Sequence, residues 1–216
     1  MAVEAVKKQR RTQERTEVTK QKLVDAALIE FSNRGFDGVT SRDIEIAADV
    51  QRGLLKYHFG DKDGMWKAAA DQIFELRMGE IEQQAKLAQD LPPRDRLALR
   101  IRAFVRFSAE HPELNRLMVQ EGKYHSWRTD YIIDAYMRQS TRALEEMVES
   151  HLSIDRETFV HWYYFYIGAG AFAFSVSPEA KKLFKTDVST KAFIDRHADM
   201  LVEFLMNQFE AAGAKG

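Results

Sequence analysis

Residues 40–63, TSRDIEIAADVQRGLLKYHFGDKD, read as two short helices joined by a tight turn and followed at once by the start of a third. Thr40 is placed to accept the first free amides as an N-cap, with Asp43 as a shortened capping-box partner; Val39 and Ile44 take the positions of a hydrophobic staple. The first helix is expected over Ser41–Ala48 with Ile44, Ala47 and Ala48 facing inward. It ends at Asp49, a residue type that tolerates the left-handed conformation of a helix-turn-helix corner. In the second, expected over Gln51–Phe59, Leu55 and Phe59 fall four apart and can pack with Val50. That leaves Gln51, Arg52, Gly53, Leu54, Lys56, Tyr57 and His58 pointing outward. Such a face suits a major groove of double-stranded DNA, its first residues reaching base edges while Tyr57 and His58 hold phosphates. Thr40, Ser41 and Arg42, at the start of the first helix, complete the candidate contact set.

Upstream, Val18 to Asn33 carries Leu23, Val24, Ala26, Ala27, Leu28 and Phe31 at helical period, and Gly35 offers a left-handed stop. This is a scaffold helix for the two reading helices. Before it, residues 1–17 are polar and lack a sustained apolar face, so a basic flexible arm is expected. In residues 1–22 seven basic side chains (Lys7, Lys8, Arg10, Arg11, Arg15, Lys20, Lys22) face three glutamates (Glu4, Glu14, Glu17). Such an arm either enters a minor groove or is a solvated tail. Downstream, Asp61 and Asp63 suit the positive end of a long helix to about Gln89, with Met65, Ala69, Phe74 and Leu76 carrying it away from DNA as a mechanical link. Lys62 beside its free amides is a ready phosphate contact.

The run from Thr19 to Trp66 resembles the DNA-binding domain of the TetR/AcrR family of bacterial transcriptional regulators, through FSNRGFDGVT, SRDIEIAADV, the YHF of residues 57–59 and the DKDGMW that opens the fourth helix. Two positions depart from the family pattern: Asp49 stands where glycine is usual and Lys56 where an aromatic is common. The resemblance implies that Lys62 binds backbone phosphate and that the last two helices dimerise as half of a four-helix bundle. It also implies a palindromic operator released by a small molecule.

LPPRD at residues 91–95 is the clearest break. Beyond it come a helix over 94–110 with Leu97, Ile101, Phe104, Val105 and Ser108 on one side, a short helix over 113–120, and a long one from Trp127 to His151 carrying Ile133, Met137, Ser140, Leu144 and Met147. The helix from Glu157 to Val176 is apolar on nearly every side and must be covered all round. Its small residues Gly168, Ala169, Gly170 and Ala171 would admit a partner backbone. Ser177-Pro178 ends it, and Lys191 to Ala211 forms the last helix, with a stripe of Phe193, Ile194, His197, Leu201, Phe204, Leu205 and Gln208. Phe107, Met118, Tyr124, His125, Trp127, Tyr131, Trp162 and Tyr166 combine large apolar surfaces with a few polar tips, the usual make-up of a ligand pocket, or of plain core. A flat apolar molecule or, by cation-π attraction, a quaternary amine would fit such a lining.

The expected fold is therefore all-α: a basic arm (1–17), a helix-turn-helix DNA-binding domain (18–64) and a larger helical ligand-binding and dimerisation domain (65–213). The 216 residues carry a net charge of −1, so a nucleic-acid reading rests on local charge. With no cysteine, thiolate metal sites and disulfides are excluded, and a reducing cytoplasm is compatible. Glu157 with His161, and Glu121 with His125, lie four apart, but metal sites need three or four ligands. No phosphate loop, nucleophile elbow or HExxH pattern is present, so neither an enzyme nor a cofactor is expected. No apolar run reaches the roughly 18 residues of a membrane span. The function expected is a homodimeric repressor released by a small apolar or aromatic effector; the alternative is a dimeric ligand-sequestering or protein-interaction module without operator binding.

Overall fold

Helix α1 runs Ala2–Arg34 and buries the face that the 3.6-residue period picked out, with Leu23, Ala27 and Phe31 fully enclosed. The structure, a computed structural model, describes the backbone of residues 2–213 and the side chains of residues 13–207 and 209. Residues 2–17, expected as an arm without regular structure, are instead helical and continuous with α1. They contain no glycine or proline, are rich in Glu, Lys, Arg and Gln, and extend an existing helix, which needs no new nucleus. The side chains of Lys7, Lys8, Arg10, Arg11 and Gln208 lie outside the described residues.

After α1 come α2 (Ser41–Ala47), α3 (Leu54–Phe59), α4 (Lys62–Leu87), α5 (Pro93–Glu110), α6 (Pro112–Glu121), α7 (Trp127–Ile132), α8 (Arg138–Leu152), α9 (Arg156–Ser175), α10 (Ser177–Phe184) and α11 (Lys191–Gly213). They divide into two compact units: residues 1–74 with 117–124, and 75–116 with 125–216.

In the first unit Leu23, Ala27 and Phe31 of α1, Ile44 of α2, Leu55 of α3 and Met65, Trp66, Ala69 and Ile73 of α4 are all buried. Gln21 Nε2 donates to Gln72 Oε1 (2.7 Å) and to Asp25 Oδ1 (2.8 Å), and Gln72 Nε2 donates to the same Asp25 oxygen (2.9 Å), fastening α1 to α4. The end of α6 joins this unit because the buried Trp66 indole N–H donates to Glu121 Oε1 at 3.1 Å. Of the residues that carry α4 onward, Met65, Ala69 and Phe74 are buried and Leu76 is exposed.

The second unit is built on α5, whose Leu97, Ile101, Phe104, Val105 and Ser108 are buried as their spacing predicts. They pack with Leu144, Val148 and Leu152 of α8, Phe159, Trp162, Tyr166 and Phe174 of α9, and Ala198, Leu201 and Leu205 of α11. Gly170 lets α9 come this close, since a Cβ there would stand 2.8 Å from the Phe104 ring and 3.2 Å from Leu201 Cδ2. Arg102 to Asp199 (2.8 Å) and Arg106 to Asp195 (3.1 Å) tie α5 to α11 at the surface.

Two expectations are corrected in this unit. The single helix over 127–151 is interrupted by a π-helical turn at Ile133–Met137, where the Ser140 hydroxyl donates to the carbonyls of Tyr136 (2.8 Å) and Met137 (3.1 Å). The wider turn changes the phase of the helix. The fully buried positions thus become Ile132, Leu144, Val148 and Leu152, and Ile133, Met137, Ser140 and Met147 are half-buried. Ser177-Pro178 ends α9 but also opens α10, because a proline in the first helical turn lacks only an amide that would be unpaired there anyway.

Candidate nucleic-acid interface

The α2 end is set by Thr40, whose hydroxyl accepts the Asp43 amide (3.2 Å) while the Asp43 carboxylate accepts the Thr40 amide (2.9 Å) and hydroxyl (2.8 Å). These bonds, first that from the Thr40 amide, hold the Asp43 carboxyl below the usual carboxylate range, helped by the Arg34 guanidinium. Val39 and Ile44 are buried as the staple requires. Ala47, expected inward, is exposed, and Glu45 takes the buried place.

Glu45 is the residue sequence reasoning missed. It is 6% exposed, and its Oε1 accepts the backbone amides of Gly53 (2.8 Å) and Leu55 (3.1 Å). A carboxylate from α2 thereby caps α3, which has no cap of its own. The signal was a glutamate next to Ile44 on a helix whose inward face was otherwise apolar.

The corner is left-handed at Asp49 (φ 51°), as its residue type allows. Gly53 is left-handed too (φ 91°), and α3 begins only at Leu54 rather than at Gln51. Gly53 breaks the expected helix because the αL conformation it takes is incompatible with a helix interior. Gln51, Arg52 and Gly53 are therefore exposed in the turn ahead of α3. Leu55 is buried, and Lys56 and Tyr57 (79% exposed) project from α3, with Leu54 and His58 half-buried. The Tyr57 and His58 rings meet edge to face at 4.8 Å. Arg42 is exposed on α2, with Thr40 exposed and Ser41 half-buried at its start. A contiguous run of cationic, amide and hydroxyl groups from 51 to 58 is the chemistry that reads base edges and grips phosphates.

Lys62 is occupied differently from the expectation. Its Nζ donates to the carbonyls of Phe36 and Val39, both at 3.2 Å, and lies 4.0 Å from the centroid of the Phe36 ring. It fastens the turn between α1 and α2. Asp61, ahead of it, caps α4 by accepting the Gly64 amide at 2.8 Å. Lys62→Met is expected to destabilise the protein by about 1–2 kcal/mol, two half-exposed charge-assisted bonds being lost. The melting temperature should fall by several degrees; an unchanged thermal midpoint would show the two carbonyl bonds to be idle.

The aromatic candidates fall in both units. Met118 and Tyr124 belong to the first unit, and Phe107, His125, Trp127, Tyr131, Trp162 and Tyr166 to the second. Tyr124, His125 and Trp127 are exposed around the start of α7, because α6 ends at Glu121 and no helix carries them inward. Trp162 and Tyr166 are stacked in the core at 5.2 Å, and Phe107 is buried against His111 at 4.7 Å. Tyr131 is half-buried beside Tyr136 (6.4 Å).

Residues 23–69 match the family described as "Bacterial regulatory proteins, tetR family". Among curated proteins, the chain is 22% identical over 131 residues to "Probable HTH-type transcriptional regulator YttP" of Bacillus subtilis, covering 61% of this chain and 63% of that one. It is 35% identical over 85 residues to the HTH-type transcriptional regulator AcrR of Shigella flexneri, 38% of each chain. The matches thus span less than two thirds of these relatives. Among solved structures, an HlyIIR mutant superposes with a TM-score of 0.57 at 17% identity, covering 87% of this chain and 98% of that one. A TetR-like regulator from Rhodococcus sp. RHA1 does so with 0.56 at 20% identity, covering 92% and 96%. These two likenesses carry the fold.

Proposed function

We propose that the chain, whose residues 23–69 match the tetR family of bacterial regulatory proteins, is a homodimeric repressor that binds a palindromic DNA operator and is released by a small molecule. The observation that carries this reading is the exposed strip of Gln51, Arg52, Lys56 and Tyr57, held on a corner whose every turn is fastened by capping and left-handed residues. Arg52, ahead of α3, is assigned to base edges, and Lys56, Tyr57 and His58 to phosphates. Thr40, Ser41 and Arg42 flank them at the start of α2. Lys62 acts by fastening the turn behind them.

Dimerisation is supported by the outer face of α9 and α11. Tyr164, Phe165, Gly168, Ala169 and Phe172 of α9 are exposed beside Met200 and Phe204 of α11, with the Phe165 and Phe204 rings 5.7 Å apart. The small residues divide between two faces, Gly170 and Ala171 inward and Gly168 and Ala169 outward, so the outer pair is available to a partner backbone. An exposed apolar surface of this kind marks an interface, and a self-complementary patch generates a two-fold dimer. Two reading heads on a dimer address half-sites about 34 Å apart or a multiple. A ligand that prefers a different head separation lowers operator affinity by its differential binding to the two states.

Selection of bound duplexes from a random library tests the reading, with the winner's affinity followed against salt. A pseudo-palindrome bound by dimers is the expected result; failure to enrich any sequence with folded dimer overturns it. On the selected duplex, Tyr57→Phe is expected to weaken binding to all sequences about equally. Arg52→Ala should cost about 1–3 kcal/mol against the preferred base alone. Equal losses on all sequences for both variants would remove Arg52 from base reading.

A further inference from the structure

On the inner side of α4, one turn beyond Phe74, stands Arg77, a guanidinium only 5% exposed. Its carbon lies 5.1 Å from the Phe107 ring centroid and 5.5 Å from that of Phe104, both on α5. Phe104 in turn packs at a tilt on Tyr166 (4.4 Å between ring centroids), and Tyr166 stacks at 5.2 Å on Trp162, both on α9. Ser108 follows Phe104 by one turn of α5 and is fully buried.

The charges in this cluster do not balance. The nearest carboxylate, Glu80, comes no closer to Arg77 Nη1 than 3.6 Å, too far for a hydrogen bond, and is itself a third exposed. A second guanidinium, Arg100, is near enough to oppose the charge on Arg77, which burial already disfavours most; the Tyr166 hydroxyl and Glu80 offset only part of this. A guanidinium nevertheless stays charged in proteins. The hydrogen bonds do not balance either. Arg77 Nη1, Trp162 Nε1, Arg100 Nε and Ser108 Oγ are buried without a partner. Three of these four atoms can only donate. Donors outnumber acceptors here, and the Tyr166 hydroxyl and the partly exposed Glu80 leave the cluster short of negative charge.

A buried cation with unmade hydrogen bonds is costly to keep unless something supplies them. A carboxylate accepts from a guanidinium through two parallel bonds and leaves lone pairs for a further N–H or O–H. The aromatic rings around it would take an apolar body. We propose that the effector is an organic anion, a carboxylate carried on an apolar or aromatic body, and that Arg77 holds its charge. This assignment rests on reading the chain as a ligand-responsive regulator. It turns away from the quaternary amine that an aromatic lining alone would admit, because the faces of Phe104 and Phe107 already have a cation beside them.

Titration calorimetry and thermal shift on the full chain without DNA test the assignment. The probes are linear carboxylates from butyrate to dodecanoate and 4-phenylbutyrate, each beside its carboxamide and its trimethylammonium analogue. At least one acid is expected to bind and raise the melting temperature, its carboxamide binding roughly thirtyfold or more weakly and the ammonium analogue not at all. Arg77→Met should remove the preference for the acid while leaving the ligand-free protein as stable as before or more so. The proposal is overturned if no acid of the series binds, if amides or ammonium analogues bind as well as acids, or if Arg77→Met binds the acid as the unaltered chain does. Should Arg77→Met fail to fold, the acid-against-amide comparison on the unaltered chain decides alone. With no DNA in the cell, failure here leaves the duplex selection standing, and a failed selection leaves this measurement standing.

Discussion

Phe172→Glu is expected to convert the proposed dimer into a folded monomer, and with it to abolish tight operator binding. Phe172 is 64% exposed on α9 and contributes nothing to the core of its own unit, which takes Phe174 two residues on. The substitution therefore spares the chain's own packing. In a two-fold interface each change occurs twice, so two carboxylates enter an apolar surface without partners. Leaving a buried charge uncompensated costs about 3–5 kcal/mol, which would weaken dimerisation by two to four orders of magnitude or more. Operator affinity follows, because the second head loses the effective concentration that tethering gives it; a further loss of about 10²–10⁴-fold is expected. Sedimentation at micromolar concentration reads the first effect and duplex titration the second. Leu183→Glu on α10, equally exposed and apolar, serves as the contrast and should leave the dimer intact. A dimer that survives Phe172→Glu but not Leu183→Glu would move the interface to α10.

How far the sequence carried these conclusions depends on what each feature needed. The capping box at Thr40 and Asp43, the staple, the left-handed Asp49 and the inward face of α1 are set by residues within a turn or two of one another, and local spacing was enough to find them. The start of α3 was missed because Gly53 was read as a helical residue, although a glycine is the residue a left-handed cap selects. The π-helical turn gives no period of its own in five residues, so the stripe drawn through it came out on the wrong phase. Three features lay beyond local pattern altogether: Glu45 reaching the amides of Gly53 and Leu55, Lys62 reaching the carbonyls of Phe36 and Val39, and Arg77 buried against α5. Each is a charged residue on a face where apolar spacing leads one to expect a hydrophobe or solvent. Phe74 to Arg77 was one such interval, and a charged residue three beyond a buried phenylalanine is the mark to look for. The exposure of three aromatic candidates was hidden for the opposite reason: composition counts rings, and only the end of α6 at Glu121 decides that Tyr124, His125 and Trp127 are exposed.

Glu45→Ala is expected to cost operator affinity heavily although Glu45 is buried and touches no DNA in the arrangement proposed. Helix α3 has six residues, fewer than a helix needs to persist by itself. Its first amides are held by the Glu45 carboxylate, which bonds Gly53 and Leu55 at once and so fixes both where α3 starts and how the turn bearing Gln51 and Arg52 approaches it. Alanine leaves those amides without their acceptor, at about 1–3 kcal/mol. Part of that is recovered by fraying of α3, and fraying displaces the reading residues. Each dimer carries the defect in both heads, so a loss of about 1–2 kcal/mol per head compounds to roughly 30-fold to 1,000-fold in affinity. Glu45→Gln keeps an acceptor oxygen at the same reach and should retain most of the binding. The salt dependence separates this positioning role from a phosphate contact: Glu45→Ala should leave the slope of log affinity against log salt unchanged, whereas Lys56→Ala, removing one phosphate contact from each of the two heads, should lower its magnitude by about 1.8. An alanine variant that bound the selected duplex as tightly as the unaltered chain would mean that α3 holds its place without the carboxylate; one that changed the salt slope would mean that Glu45 acts through the phosphates after all.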